Sequence, residues 1–487
     1  MKVPVSAGSS PRTPLLVLAL VTVAVACAFQ GSRGLYETTE GRYAEVAREM
    51  VSSGDWVTPR LDGEAHWTKP PLTYWAIAAG LSVFGKNAWG ARAFNIIAFA
   101  GVVLATYGAG RRLWGTQTAT LAALIAAVSP FMVVGMNSVS TDMLLALWEI
   151  AAVYFFLSAR GARGSGGAWR VNAMWASFGL AFLTKGPPGL LPLLSIAVFA
   201  FVERRRGHTM PRLSRVEGIA AFLVIGFGWY ALVVLRDHAL AGYFLGVEVW
   251  GRVATGVHHR NPQWYKPLVI YLPPLLLGLG LWLFDAFVLA TRARRAWAQR
   301  GGWRWLASSS PWLFVVLWIA LPLAVLSISH SRLPLYVLPF MPAVALGVAR
   351  VVIVLRGGES ALRRGLRLAV AGAVLCIALK GVASVVPSAK NMAQLYHAIA
   401  ADERARVVTV DLDEMYGLDF YLGGTLDRVR AAGLGGVLGP VDGEQIIVVR
   451  RGHPVGVDRL CAERGLDCRE DVTSSRYYSI WRVQPGS

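Results

Sequence analysis

Lysine is scarce in this chain, seven against forty-one arginines, and two of the seven stand in unusual places. Lys69 precedes Pro70-Pro71, and Lys185 precedes Gly186-Pro187-Pro188. A lysine is a compact point charge that suits a phosphate oxygen. Arg42, Arg252 and Arg332 are further cations in polar stretches between apolar runs, and Tyr336, in Leu333-Pro334-Leu335-Tyr336, is a hydroxyl that can donate to the same group. The competing reading is that lysines near span ends snorkel to the interface and that Tyr336 is a buried aromatic with a satisfied hydroxyl. Two carboxylates, Glu40 and Asp142, complete the set. Acids at a membrane boundary are expensive unless paired or put to work. Each also reads as a first-turn acid favoured by the helix dipole, and Thr141-Asp142 reads as a helix start. Carboxylates beside several cations fit glycosyl transfer. The acid orients or deprotonates an acceptor, and the cations stabilise a departing phosphate.

His66, His258 and His259 are the residues that would serve a divalent metal together with a carboxylate, but their spacing matches no zinc pattern. Surface-loop histidine is the preferred reading. The sequence names no certain cofactor and leaves a divalent metal open. P-loop, GxGxxG and Walker patterns are absent, which argues against a nucleotide site.

The chemistry-bearing stretch Leu35 to Trp75 is polar, yet apolar runs flank it on both sides. Only 16% of the residues are charged and 55% are hydrophobic, where a soluble chain carries about 25% charged residues. Apolar runs of roughly 18 to 22 residues recur, each long enough to cross a bilayer. The expectation is an all-α polytopic membrane protein of about 11–13 transmembrane helices, with a small α/β domain at the C-terminus. The net charge of +19 does not form a nucleic-acid patch, because the arginines are distributed among short loops.

Basic and non-basic loops alternate. Arginine clusters follow the runs ending near residues 110, 159, 203, 291 and 355, while the turns at Asp142, Lys185 and Arg332 and the loop at 236–266 carry no such cluster. The positive-inside rule puts the arginine-rich loops in the cytoplasm. The stretch 31–91, the loop 236–266 and the tail then lie on the outer side. This phase requires Leu72 to Phe84, short and preceded by two prolines, to be re-entrant or interfacial. The first apolar run, Leu15 to Phe29, has no clear small-residue cleavage site after it and reads as a retained span.

The domain boundaries expected are 1–386 for the membrane domain and 387–487 for the tail. In the tail, Val407 to Val410, Ile446 to Val449 and Tyr477 to Val483 read as strands and Pro454 to Arg464 as helix. Cys461 and Cys468, on the side expected to be oxidising, are candidates for a disulfide. Cys27 and Cys376 lie within apolar runs and read as buried small residues.

The run Glu40-x-Arg42-Tyr43-Ala44-Glu45, then Met50, Gly54-Asp55-Trp56, Pro59 and Lys69-Pro70, resembles the first outer loop of the bacterial aminoarabinose transferases, within the wider protein-mannosyltransferase-like group of GT-C membrane glycosyltransferases. Similarity continues through Thr141-Asp142, Thr184-Lys185-Gly186-Pro187, Glu248 with Arg252, His259 with Pro262, and Leu333-Pro334 with Tyr336. The resemblance implies an inner-membrane enzyme with a periplasmic active site that takes a sugar from a polyprenyl-phosphate carrier, of undecaprenyl-phosphate type, and passes it to a glycolipid such as lipid A, another envelope glycan, or a protein. It implies Lys69, Arg252 and Tyr336 at the carrier phosphate, helped by Arg42, Lys185 and Arg332, with Asp142 as a second functional acid. Family members commonly carry Asp-Glu where this chain has Thr39-Glu40, so either Glu40 itself is the first catalytic carboxylate or the site differs in acceptor chemistry. Thr68 stands where a glutamate often precedes the loop lysine, which weakens a metal site. Protein O-mannosyl transfer, and lipid-linked sugar carriage without chemistry, are the alternatives.

Overall fold

The computed structural model of the chain describes residues 12–162, 165–250, 261–400, 405–439, 444–471 and 475–485. The apolar runs are helices, because in hydrocarbon each backbone N–H and C=O must be satisfied within its own segment. In order they begin α1 Arg12–Cys27, α2 Thr39–Ser53, α3 Leu72–Phe84, α4 Ala88–Trp114, α5 Thr116–Ala127 and α6 Pro130–Met136. They continue with α7 Asp142–Ala159, α8 Ser165–Lys185, α9 Leu191–Arg205 and α10 Val216–Arg236. The helices Lys266–Leu277, Trp282–Gln299, Ser310–Ile328, Met341–Arg356 and Gly358–Val385 follow. Among the described residues seven helices are long and apolar enough to cross a membrane, and nine if each bent pair counts as one span. α1, of 16 residues, and α8, of 21, stand outside that count.

The two bent pairs are a finding beyond the sequence reading. The run read as one span from Ala119 to Gly135 breaks by 57° between α5 and α6. Pro130 explains the break: it stands at the first turn of α6, and Ser129 caps that helix by accepting the Met132 N–H at 3.3 Å. A second pair, Lys266–Leu277 and Trp282–Gln299, bends by 102°. α3 is 13 residues long, too short to cross alone.

The chain divides into two compact units. The first comprises 1–28, 67–73 and 94–380. Its core holds an aromatic cluster, with Phe156, Phe199, Phe314 and Trp318 in contact and fully buried. At the arginine-bearing end, the buried Glu203 accepts from Ser310 Oγ at 2.6 Å and from Arg206 at 3.0 Å, with Arg160 at 3.8 Å. Asp285, also buried, pairs with Arg356 and Arg364. Several loop arginines that satisfy the charge rule therefore also tie helices together. Cys376 is buried as expected, but Cys27 is exposed: α1 turns it outward, where an apolar thiol meets lipid as readily as protein.

The second unit comprises 29–66, 74–93 and 381–487. A short hairpin, β1 Arg60–Leu61 and β2 Glu64–Ala65, precedes a sheet of order β4-β3-β5-β7-β6, where β3 is Arg406–Val410, β4 Asp427–Val429, β5 Gln445–Arg450, β6 Leu466–Asp471 and β7 Tyr478–Pro485. β3 pairs parallel with β4 and β5, and β7 pairs antiparallel with β5 and β6. The unbroken apolar runs at β3 and β5 arise because both faces are covered. Ile446 and Val448 face one cluster with Leu395 and Leu418, while Ile447 and Val449 face another with Leu434 and Cys461. The helix expected over Pro454 to Arg464 is confined to Val457–Ala462, and a disulfide joins its Cys461 to Cys468 on β6. β4 and β6 have weak apolar patterns and were not expected.

In this unit the first polar stretch and the tail interlock. The Leu35 N–H donates to Tyr421 Oη at 3.0 Å, the Glu37 N–H to the Lys390 carbonyl at 2.9 Å, and the Met392 N–H to the Leu35 carbonyl at 3.0 Å. Gly41 permits a close approach, since a Cβ there would sit 2.4 Å from the Gly417 nitrogen. Gly54, at φ 72°, ends α2 in a left-handed turn, its N–H returning to the Met50 carbonyl.

Glu37 lies in this interlock and accepts the Gly417 N–H. Burial pushes its carboxyl up to about 8, against the lowering by the Gly417 and Leu418 N–H groups. A carboxyl raised in the folded state favours the protonated fold, so its contribution is present below the ordinary carboxylate range and is lost as pH rises through about 8. The second unit should therefore lose roughly 1–3 kcal/mol between pH 6 and 8.5. Amide exchange of segment 381–400 at the two pH values measures this. Glu37→Gln should flatten the dependence, and an unchanged slope in that variant would refute the assignment.

Candidate functional site

Asp142 opens α7 and Lys185 closes α8, and the two helices run antiparallel as packed neighbours. A carboxylate at a helix N-terminus and an ammonium at a C-terminus are each favoured by the macrodipole, so the helix pair brings them together. Lys185 donates directly to Asp142 Oδ1 in an ion pair whose side chains are only 11% and 9% exposed. Ser140 Oγ donates to Asp142 Oδ2 at 3.0 Å and accepts the Asp142 N–H at 3.3 Å. Thr141 makes no capping bond, so the serine two residues before Asp142 shapes the turn. Asn95 of α4 fixes the same turn by donating to the Ser138 carbonyl at 2.9 Å. Gly186, at φ 75°, stops α8 immediately after the lysine, and its N–H returns to the Phe182 carbonyl at 2.7 Å.

Tyr336 belongs to a 3₁₀ turn over Pro334–Phe340, and its ring lies 4.5 Å from Lys185 Nζ. The ammonium is thus held between a carboxylate and an aromatic face. Arg332, expected at the phosphate, bonds to backbone carbonyls here. It is 3% exposed, and its guanidinium donates to the carbonyls of Asn261 at 2.8 Å, Gln263 at 2.9 Å and Ser327 at 2.8 Å. These bonds tie the turn leading to Tyr336 to the 261–263 segment, and among the described residues Arg332 Nε has no partner.

Lys69 belongs to the segment 67–73 of the same unit. Trp67 packs on Trp229 of α10 at 5.9 Å. The neighbouring Tyr230 packs on Phe182 of α8 at 5.9 Å, and its hydroxyl lies 3.9 Å from where a Cβ on Gly186 would stand. These contacts set the Lys69 segment at the same end of the α8–α10 pair as Lys185. Lys69 Nζ donates to the Thr68 carbonyl at 2.7 Å.

One residue of this constellation escaped the sequence reading. Glu149 follows Asp142 by two helical turns on the same face of α7, is 1% exposed, and its Oε2 has no hydrogen-bond partner among the described residues. Lys185 and Asp142 are the charges that act on it. A glutamate seven positions after Asp142, inside an apolar run, was the available signal, since ionisable residues within spans are functional candidates by default.

Glu40 and Arg42 belong to the second unit. Glu40 is buried. It accepts from Arg33 at 2.7 Å, from Arg92 at 3.0 Å and from the Tyr36 N–H at 2.8 Å. Burial opposes its ionisation, but Arg92 and Arg33 outweigh that and hold the carboxyl below its ordinary range. Such an ionised, doubly paired carboxylate is a poor proton acceptor and suits a structural ion pair. Arg92 also donates to the carbonyls of Arg33 and Gly34, the latter at 3.0 Å, so the pair pins the chain before α2. Arg42 lies 6.0 Å from the ring of Tyr43. His66 donates its backbone N–H to Pro59 at 2.7 Å. Arg252, His258 and His259 lie outside the described residues. Among the described residues no three histidine, cysteine or carboxylate side chains gather as metal ligands.

Residues 68–230 match the family described as dolichyl-phosphate-mannose-protein mannosyltransferase. The chain is 31% identical over 341 residues to the undecaprenyl phosphate-alpha-4-amino-4-deoxy-L-arabinose arabinosyl transferase of Pseudomonas aeruginosa strain LESB58, a match covering 69% of this chain and 59% of the relative. It is 29% identical to the enzyme of the same name from Edwardsiella ictaluri, over 73% of this chain and 61% of the relative. The match thus spans about three-fifths of these relatives' own length. In fold, the chain resembles ArnT from Cupriavidus metallidurans bound to undecaprenyl phosphate, with a TM-score of 0.74 at 22% identity, over 97% of this chain and 98% of that one. It also resembles the archaeal oligosaccharyltransferase AglB from Archaeoglobus fulgidus, at 0.54 and 12% identity, over 85% and 64% of the two chains.

Proposed function

This multi-pass membrane chain belongs to the aminoarabinose-transferase family within the protein-mannosyltransferase-like GT-C group, and from that premise we propose that it transfers a sugar from an undecaprenyl-phosphate-type carrier to a lipid A-type acceptor. The observation that carries the reading is the buried Asp142–Lys185 pair under Tyr336. An acceptor oxygen attacks the sugar's anomeric carbon as the bond from that carbon to the phosphate oxygen breaks, and the carrier departs as its free phosphate. Lys185 and Lys69 are the cations for the charge that grows on the phosphate, and Tyr336 is its hydroxyl donor. Asp142 holds the Lys185 ammonium in place. It also takes the proton if the acceptor is a hydroxyl, whereas a phosphate acceptor is already ionised and needs no base.

A carrier dissolved in the bilayer reaches such a site by lateral diffusion, with its isoprenoid tail between helices. We place the site on the periplasmic face of a bacterial inner membrane, because the arginine-rich loops lie at the other end of the spans. Glu40 and Arg332 are scaffold residues in this scheme, and Arg252 remains a proposed contact of the carrier phosphate.

The test uses the full chain in nanodiscs with undecaprenyl-phosphate-linked 4-amino-4-deoxyarabinose and lipid A, read by mass spectrometry. Lipid A should gain one sugar. Donor that binds but is never consumed would make the protein a carrier and overturn the reading. Lys69→Ala should weaken apparent donor affinity by roughly ten- to a hundredfold, the loss expected for one charge-assisted hydrogen bond.

A further inference from the structure

A groove of about 580 Å³ opens between α4 and α7, toward the arginine-bearing end of both helices. Its walls are Leu104 and Ala105 on one side and Leu147, Ala151 and Phe155 on the other. Two glycines shape it. A Cβ on Gly101 would lie 2.5 Å from Leu147 Cδ1, and one on Gly108 would lie 2.6 Å from the Tyr154 ring. Side chains at these positions would force the helices apart. Leu104 is 66% exposed, so the groove opens outward from the protein. Arg111 and Arg112 stand at its upper end, in the last turn of α4, and both are exposed. Among the described residues neither makes a salt bridge.

We propose that this groove binds an anionic glycerophospholipid, one acyl chain lying along Leu104 and Ala151 and the headgroup phosphate on Arg111 and Arg112. Four observations support this occupant. The volume is that of a small-molecule site. The length from Gly101 to Arg112 along the helix is about 16 Å, which accommodates most of one acyl chain. The lining is apolar below and cationic above, the polarity sequence of a lipid in one leaflet. The groove lies at the basic end of the spans, where a cytoplasmic leaflet presents anionic lipids. It is separate from the proposed transfer site, because Tyr154 follows Asp142 by twelve residues, about 18 Å along α7.

Each arginine near an anionic headgroup contributes roughly a fivefold gain in occupancy. Native mass spectrometry of the full chain, loaded with equal phosphatidylglycerol, phosphatidylcholine and undecaprenyl phosphate, tests the proposal. The wild type should retain phosphatidylglycerol over phosphatidylcholine. The double variant Arg111→Gln/Arg112→Gln should lose about twenty-five-fold in that retention, and Ala151→Phe, which fills the groove, should lose it with the arginines intact. Arg111→Lys/Arg112→Lys should keep most of it, which separates a charge effect from misfolding. Phosphatidylglycerol retained equally by all variants, or undecaprenyl phosphate preferred in a way the double variant abolishes, would overturn the assignment.

Discussion

Asp142→Asn should reduce sugar transfer by roughly two to four orders of magnitude and leave the protein folded. The amide keeps the shape, and Ser140 still has an oxygen to meet. What disappears is the negative charge against Lys185. The Tyr336 face 4.5 Å away remains, but no ion pair with Asp142 fixes the ammonium where phosphate charge develops. Lys185→Met should cost a similar factor, and the double variant should be little worse than either single one, because the two act as a unit. The measurement is single-turnover transfer in nanodiscs, with a thermal melt as the folding control. Transfer within threefold of wild type in Asp142→Asn would remove this carboxylate from the mechanism.

Glu40→Gln should act in the opposite way, costing stability rather than chemistry. Removing that charge leaves Arg33 and Arg92 buried against a neutral amide. Breaking a buried pair by removing one partner costs about 3–5 kcal/mol, because it leaves an uncompensated charge. A loss of that size takes much of the stability of a typical domain, so low yield and a lowered melting temperature are expected, with transfer per folded molecule near normal. The discriminating outcome is a Glu40→Gln protein that melts like wild type yet transfers no sugar. That result would restore the catalytic role the sequence suggested for Glu40.

The two carboxylates looked alike in the sequence, and the reason they part is instructive. Both stand near the start of a helix between apolar runs, and both read as working acids or first-turn acids with comparable force. Nothing local tells Glu40 that Arg92, fifty-two positions later, returns to it. Arg332 is a similar case. Its charge and its place before Leu333-Pro334 suggested a phosphate ligand, but its three carbonyl partners include Asn261 and Gln263, some seventy residues earlier. Lys185 differs because its position is written locally: a last-turn lysine followed by Gly-Pro-Pro has few other places to go.

By itself the sequence determined what depends on composition and on short-range order. Hydrocarbon-length apolar runs commit the chain to membrane helices, since no other backbone arrangement satisfies its polar groups there. Unbroken β-branched runs at β3 and β5 mark a sheet covered on both faces. Tertiary structure alone decided which distant charges meet. It paired Asp142 with Lys185, gave Glu40 two arginine partners and Arg332 three carbonyls, and buried Glu149 two turns along the same face of α7. It also wove residues 29–66 into one unit with the tail through backbone hydrogen bonds spanning more than three hundred and fifty residues. An ion pair or a hydrogen bond is a relation between positions in space, and sequence pattern fixes only positions along the chain.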